Sequence, residues 1–328
     1  MKPTTILSLL LALAGHIATT QAQERIVGGQ PSSIARWPAT VALINTDSFF
    51  QFCGGSLIAA NWVLTAAHCV VDEDGIVTEA SVIGVLAGTS DLTLAEPTTE
   101  LHLVTNVIPH QLYDPVLTRN DIAYLELATN SSMPPIPLYL GAPPVGTPAT
   151  VVGWGDLDSR ARIPSNLHEV EVPVVSNAQC NAPTAYNGLI IHSQICAGLP
   201  EGGRDACAGD SGGPLMATQN GEFRQIGIVS FGVGCARPNK FGVYTRVQSF
   251  LTDIEQLTSV SPPSASGTGP AHSTVATDNG GGAVGLLELA AWLLAAAILA
   301  ITRSGGWGNT RIRSRPMPDT SAPCLGQG

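Results

Sequence analysis

The stretch DACAGDSGGPL (Asp205–Leu215) holds a serine, Ser211, among three glycines, with one carboxylate directly before it and another six residues before it. A serine hydroxyl is a weak nucleophile and needs a base, normally histidine, held in place by a carboxylate. Written as G-x-S-x-G, the stretch also fits a nucleophile elbow, in which the histidine follows the serine in the chain. Of the seven histidines only His272 follows Ser211, and it lies in a Ser/Pro/Gly-rich run. The elbow reading, and with it a small-ester acyl hydrolase, fails on that order. Upstream, NWVLTAAHC (61–69) carries His68, and TRNDIAYLEL (118–127) carries Asp121 at the head of an apolar run. The order His68, Asp121, Ser211 is one of the known chain orders for a base, an orienting acid and a nucleophile that together perform acyl transfer.

The elements that must position these residues read as all-β. Short β-rich runs recur between turn signals: TVALI (40–44), VTNVI (104–108), ATVVGW (149–154), QIGIVSF (225–231) and GVYTRV (242–247). A Pro/Gly-rich bridge at 133–146 divides the body into halves, leaving His68 and Asp121 before it and Ser211 after it. Val247, Phe250, Leu251, Ile254 and Leu257 repeat at the helical period and predict a closing helix with one face on the β body.

Composition narrows the setting. The net charge of −10 disfavours nucleic acid, which requires clustered Lys and Arg. Six cysteines lie in the body (Cys53, Cys69, Cys180, Cys196, Cys207, Cys235) and Cys324 lies in the tail. No C-x-x-C pair occurs, which argues against a zinc or thioredoxin-like site, and six cysteines alone allow about 15 pairings. Residues 1–22 have the positive start, apolar core and small-residue end of a secretory signal. The body runs over 26–259, followed by a Ser/Pro/Gly-rich linker at 260–282. The run at 283–302 is long enough to span a bilayer, and the basic tail at 303–328 would then lie inside. A lipid-anchor signal is the competing reading, and the length of the tail favours the span. Either way the body is expected at the extracellular surface. Asn130-Ser131-Ser132 is a glycosylation sequon on a polar loop.

Seven stretches taken in order carry a resemblance: RIVGG (25–29), CGGSLI (53–58), LTAAHC (64–69), NDIAYLEL (120–127), GWG (153–155), DACAGDSGGP (205–214) and SFGVGCARPNKFGVYTRV (230–247). The body resembles the trypsin-like serine proteases. That resemblance implies two six-stranded antiparallel β-barrels with a C-terminal helix and the active site between the barrels. It implies His68 as base, Asp121 as its orienting acid and Ser211 as nucleophile, with the N–H groups of Gly209 and Ser211 as oxyanion donors. Asp205 would lie at the floor of the primary specificity pocket and select Arg or Lys in protein substrates. Gly232 and Gly242 would form its walls, and Ser230, Phe231 and Gly232 would pair with substrate backbone. Removal of residues 23–25 by cleavage after Arg25 would free the ammonium of Ile26 to pair with Asp210, making the protein a zymogen with an activating protease among its partners, alongside protein inhibitors. The resemblance also selects the pairings Cys53–Cys69, Cys180–Cys196 and Cys207–Cys235, a count closer to fungal and microbial trypsins than to vertebrate ones. No cofactor or metal is implied: the 87–100 loop lacks the acidic spacing of trypsin calcium loops. Phe231 stands where Trp is usual, and Ala206 where Ser is common, which by resemblance favours Arg over Lys. A catalytically silent binding module on the same fold is the rival reading.

Overall fold

The computed structural model describes residues 28–156 and 165–260. The signal, Arg25 and Ile26, the tail segment at 283–302 and Cys324 lie outside them. Among the described residues no helix is long and apolar enough to cross a membrane.

A two-residue strand, β1 (Gln30–Pro31), precedes β2 (Thr40–Asn45), β3 (Gln51–Ala59), β4 (Trp62–Thr65), β5 (Ile83–Ala87), β6 (Glu100–Pro109) and β7 (Ala123–Leu127). Strands β2 to β7 close into an antiparallel barrel in the order β2-β3-β4-β7-β6-β5. After the Pro/Gly bridge come β8 (Pro148–Gly153), β9 (His168–Val175), β10 (Gln194–Ala197), β11 (Pro214–Gln219), β12 (Glu222–Phe231) and β13 (Gly242–Arg246). These six pair in the order β9-β10-β13-β12-β11-β8, and β8 pairs back onto β9 to close the second barrel. Strand β1 is added at the edge of β9. Closure leaves few free edges, which suits a protein built from short strands.

Each barrel has its own core, Val41, Leu43, Leu57, Val63, Val85 and Leu125 in the first, and Val151, Val172, Ile195, Leu215, Ile226 and Tyr244 in the second. Two further clusters join them. Trp37 and Ala42 pack with Val152, Trp154 and Met216, while Leu64, Ile122 and Tyr124 pack with Ile228 and Phe250. The seam between the barrels is therefore itself an apolar core.

The closing helix differs from its expected form. Val247 and Phe250 are buried in a 3-10 turn, and α2 runs over Leu251–Thr258 after the four-residue α1 (Asn177–Cys180). Ile254 is buried, but Leu257 is 42% exposed. The tighter turn at the start rotates the later residues away from a straight 3.6-residue face, so Leu257 turns outward.

Among the described residues three disulfides form, Cys53–Cys69, Cys180–Cys196 and Cys207–Cys235. Near the start of the described chain, Glu169 on β9 gathers donors from Gln30, Ser32 and Trp37 and an ion pair with Arg36 at 3.2 Å. That carboxylate ties residues 30–37 to the second barrel.

Candidate active site

His68 sits in a 3-10 turn, Ala67–Cys69, directly after β4. The turn is pinned by the Cys53–Cys69 bridge to β3. Its Nδ1 lies 2.8 Å from Oδ2 of Asp121, and its backbone N–H donates to Oδ1 at 2.9 Å. Asp121 stands at the head of β7, after Asn120 with φ +52, a left-handed conformation that asparagine tolerates. The carboxylate is 1% exposed. It also accepts from the Ser230 hydroxyl at 2.5 Å, while Thr245 Oγ1 donates to its carbonyl at 2.6 Å. Burial alone would raise its pKa, but the charge of His68 and the donors from His68 and Ser230 pull it below the usual carboxylate value. Burial lowers the pKa of His68, and the charge and hydrogen bond of Asp121 outweigh it, so the net direction is upward. With Asp121 ionised, Nδ1 must carry the shared proton, which leaves the Nε2 lone pair free to act as base.

Ser211 follows β10 and opens the approach to β11. It makes no hydrogen bond to His68 here, a contact that often tightens only with substrate bound. The loop is brought to the histidine segment through backbone. Gly54 N donates to Ser211 O at 2.7 Å. Gly212 has φ +78, and a Cβ there would lie 2.2 Å from Thr65 Oγ1, so only glycine fits against the strand leading to His68. Within 209–213 the N–H groups of Asp210, Gly212 and Gly213 all donate, to Cys207, Val229 and Asp210. Those of Gly209 and Ser211 have no acceptor among the described residues. A free pair of N–H groups beside a serine can hold a negative oxygen.

Asp205, Ser211, Ser230, Phe231, Gly232 and Gly242 line one cavity of about 740 Å³. Asp205 is 3% exposed. Its Oδ2 accepts from Ala236 N at 3.1 Å, while Oδ1 is buried with no hydrogen-bond partner. Burial pushes its pKa up to about 7, against the backbone N–H groups of Ala236 and Ala206, with the charge of Asp210 adding to the rise. A Cβ at Gly242 would lie 2.7 Å from that free oxygen, and one at Gly232 would meet only Gly234 O, at 3.4 Å. Glycine at 242 therefore keeps the approach to Asp205 open. Phe231 is held edge-on against Tyr186, ring centres 5.9 Å apart.

Asp210 is fully buried. It accepts from Gly155 N at 2.8 Å and Cys207 N at 3.0 Å, and burial raises its pKa to about 6 despite them, helped by the charge of Asp156. Gly155 is required by this close approach, since a Cβ there would lie 2.2 Å from Oδ2. The amine expected to meet Asp210, that of Ile26, lies outside the described residues. Gly28, two residues on, packs on the Gly203 carbonyl, where a Cβ would lie 2.2 Å away. Asn130 is exposed, and the hydroxyls of Ser131 and Ser132 bond to Glu100.

The structure thus gathers His68 and Asp121 at one point, and Ser211 with the expected pocket residues around one cavity. Sequence reasoning passed over the Ser230 hydroxyl, Thr245 and Gln51, whose side-chain amide reaches Gly209. Their partners lie more than a hundred residues away, and only closure of the barrels brings them together. Among the described residues, Cys53, His68 and Cys69 are the one group with metal-binding atoms close together, and the two sulfurs are bonded to each other.

The chain matches the Trypsin family over residues 26–254. It is 39% identical over 232 residues to Trypsin-1 of Astacus astacus, covering 68% of this chain and 95% of that protein. To Trypsin of Xenopus laevis it is 37% identical over 252 residues, covering 75% and 96%. With two closed barrels, a His–Asp pair at their seam and a serine that lines a cavity, the chain belongs to the trypsin family of serine endopeptidases.

Proposed function

We propose that this endopeptidase is made as a zymogen and cleaves protein chains after Arg or Lys through an acyl-enzyme formed on Ser211. His68 takes the proton from Ser211 Oγ as that oxygen attacks the carbonyl carbon. Asp121 holds the imidazole in the required tautomer and stabilises the imidazolium. The oxygen that gains charge is held by the N–H groups of Gly209 and Ser211, each typically worth about 3 kcal/mol in the transition state. His68 then delivers its proton to the leaving amine, and water repeats the sequence to release the acid. The observation that carries the specificity is Asp205, buried with Oδ1 unpartnered in the cavity that Ser211 also lines. A guanidinium or ammonium would supply the missing donor, and a neutral side chain would leave the carboxylate unpaired.

The activation reading rests on Arg25-Ile26 in the sequence and on Asp210, whose buried carboxylate lacks a countercharge among the described residues. Backbone N–H groups alone do not return the carboxylate to its ordinary pKa, and an ammonium would. Three disulfides support an oxidising, secretory compartment. Attachment to the outer surface through 283–302 rests on the composition of that segment.

The test is to activate the full-length chain with added trypsin, remove the trypsin, and assay Arg, Lys and Phe peptide substrates alongside Ser211→Ala. Turnover of Arg and Lys substrates that needs both activation and Ser211 is expected. An inert serine, unreactive toward an active-site phosphonate, would leave the binding-module reading standing.

A further inference from the structure

Gln51 opens β3 in the first barrel and is 5% exposed. Its Nε2 donates to two carbonyls, Cys53 O at 3.0 Å and Gly209 O at 2.9 Å. Both neighbours are acceptors, so the amide can face only one way, with its two N–H bonds toward them. Oε1 is left buried without a hydrogen-bond partner. A buried acceptor with no donor is unfavourable, and an apolar side chain of equal length would remove that penalty. It would also remove both donors, and the donors are what reach the serine loop.

Gly209 is the residue whose own N–H has no acceptor among the described residues. It adopts φ +97, and a Cβ on it would lie 3.1 Å from the Cα of Gly155. Glycine turns easily about both of its backbone bonds, so such a residue needs outside contacts to hold one orientation. Gln51 supplies one from the opposite barrel. It is itself anchored beside Cys53, which is bridged to Cys69 next to His68.

We propose that Gln51 is a positioning residue for the reaction: it clamps the Gly209 carbonyl so that the Gly209 N–H stays aimed at the substrate oxygen that gains charge. The proposal rests on the reading of Gly209 as an oxyanion donor. The Gln51 amide contacts Cys53 and Gly209 and acts on the reaction through Gly209.

The test compares wild-type full-length enzyme, after activation, with Gln51→Met, which keeps length and bulk and lacks both donors. Oxyanion donors act on kcat, so kcat should fall about 10- to 100-fold while KM stays within about twofold. A peptide argininal, whose hemiacetal oxygen occupies the same position, should bind weaker by the same factor. Benzamidine, which needs only the pocket, should bind within about twofold of wild type. An unchanged kcat and argininal affinity would overturn the proposal, as would equal weakening of argininal and benzamidine. Should Gln51→Met fail to fold, wild-type protein labelled with 15N gives the answer. The Gln51 side-chain NH2 should exchange slowly with solvent and shift on adding argininal, but not benzamidine; fast exchange, or equal shifts with both, overturns the clamp. Failure of the underlying reading looks different, because wild-type enzyme would then bind argininal no more tightly than the matching alcohol.

Discussion

Two carboxylates of the candidate site, Asp121 and Asp205, are both almost wholly removed from water, and the chain completes them to different degrees. Asp121, at the seam of the barrels, has donors on both oxygens, and its pKa is depressed. Asp205, which lines the cavity, has one oxygen without a partner and a pKa raised to about 7. Both are nearly fully buried, yet they shift in opposite directions. The charge of His68 and three donors outweigh burial at Asp121. At Asp205 two backbone donors do not, and the charge of Asp210 adds to the rise. Asp121, assigned to chemistry, is finished before substrate arrives, with donors on both oxygens, although Ser211 has still to bond to His68. Under the proposed function, Asp205 is left unfinished: a cationic side chain would supply the missing partner, and binding energy would be released to it alone.

The strongest way to break the finished side is Asp121→Asn. An amide there offers N–H where His68 Nδ1 needs an acceptor, so the imidazole takes the wrong tautomer. A fall in kcat of about 10⁴-fold at pH 7 is expected, measured by single turnover after activation. The same change on the unfinished side, Asp205→Asn, should lower kcat/KM for Arg substrates by about 10³-fold. Its effect on stability should run the opposite way. A carboxyl whose folded pKa exceeds its usual 3.8 favours the folded state fully below that value, and this advantage is lost as pH rises through about 7. Wild-type protein should therefore lose stability between about pH 4 and 7, and Asp205→Asn should lose less over the same range, the remainder belonging to other raised groups such as Asp210. Calorimetry at pH 8 should place the variant a few degrees higher in Tm, and a lower Tm would erase the contrast between the two acids.

A subtler test asks whether Asp205 waits as a neutral acid. Benzamidine affinity should rise about tenfold per pH unit below the Asp205 pKa of about 7 and level off above it. Binding at pH 6 should release a proton, visible by titration calorimetry in buffers of different ionisation enthalpy. A His68→Ala background keeps the imidazole from titrating in the same range. An affinity that is flat with pH would mean that Asp205 is already ionised in the empty pocket.

Much of this arrangement was legible in the sequence because its signals are local. The β-rich runs at 40–44, 104–108 and 149–154 fall within or at the edge of β2, β6 and β8, and the Pro/Gly bridge separates two barrels as expected. The bond between His68 and Asp121 was foreseeable from residue type and chain order. Cysteine count alone left about 15 pairings open, and only family resemblance selected the three that form. What stayed hidden is long-range. Gln51 and Gly209 are 158 residues apart, and Ser230 and Asp121 are 109 apart. Nothing in a glutamine or a serine on a β-strand announces such a partner. Ser230 was expected to serve substrate through its backbone, and its hydroxyl turns out to serve Asp121.

That hydroxyl allows the smallest and most discriminating change. Ser230 Oγ and His68 Nδ1 share a single oxygen, Oδ2 of Asp121. A donor on that oxygen spreads its charge and weakens its hold on the imidazolium. Ser230→Ala should concentrate the charge, raise the His68 pKa further above 6.5, and move the acid limb of kcat/KM upward by a few tenths of a pH unit. The plateau rate at pH 8 should fall less than about tenfold, because both His68 contacts to Asp121 survive. If the limb moves down instead, Ser230 acts by orienting the carboxylate and not by sharing its charge. Asp121 would then depend on Ser230 for its geometry, while its two contacts with His68 keep a donor on each oxygen.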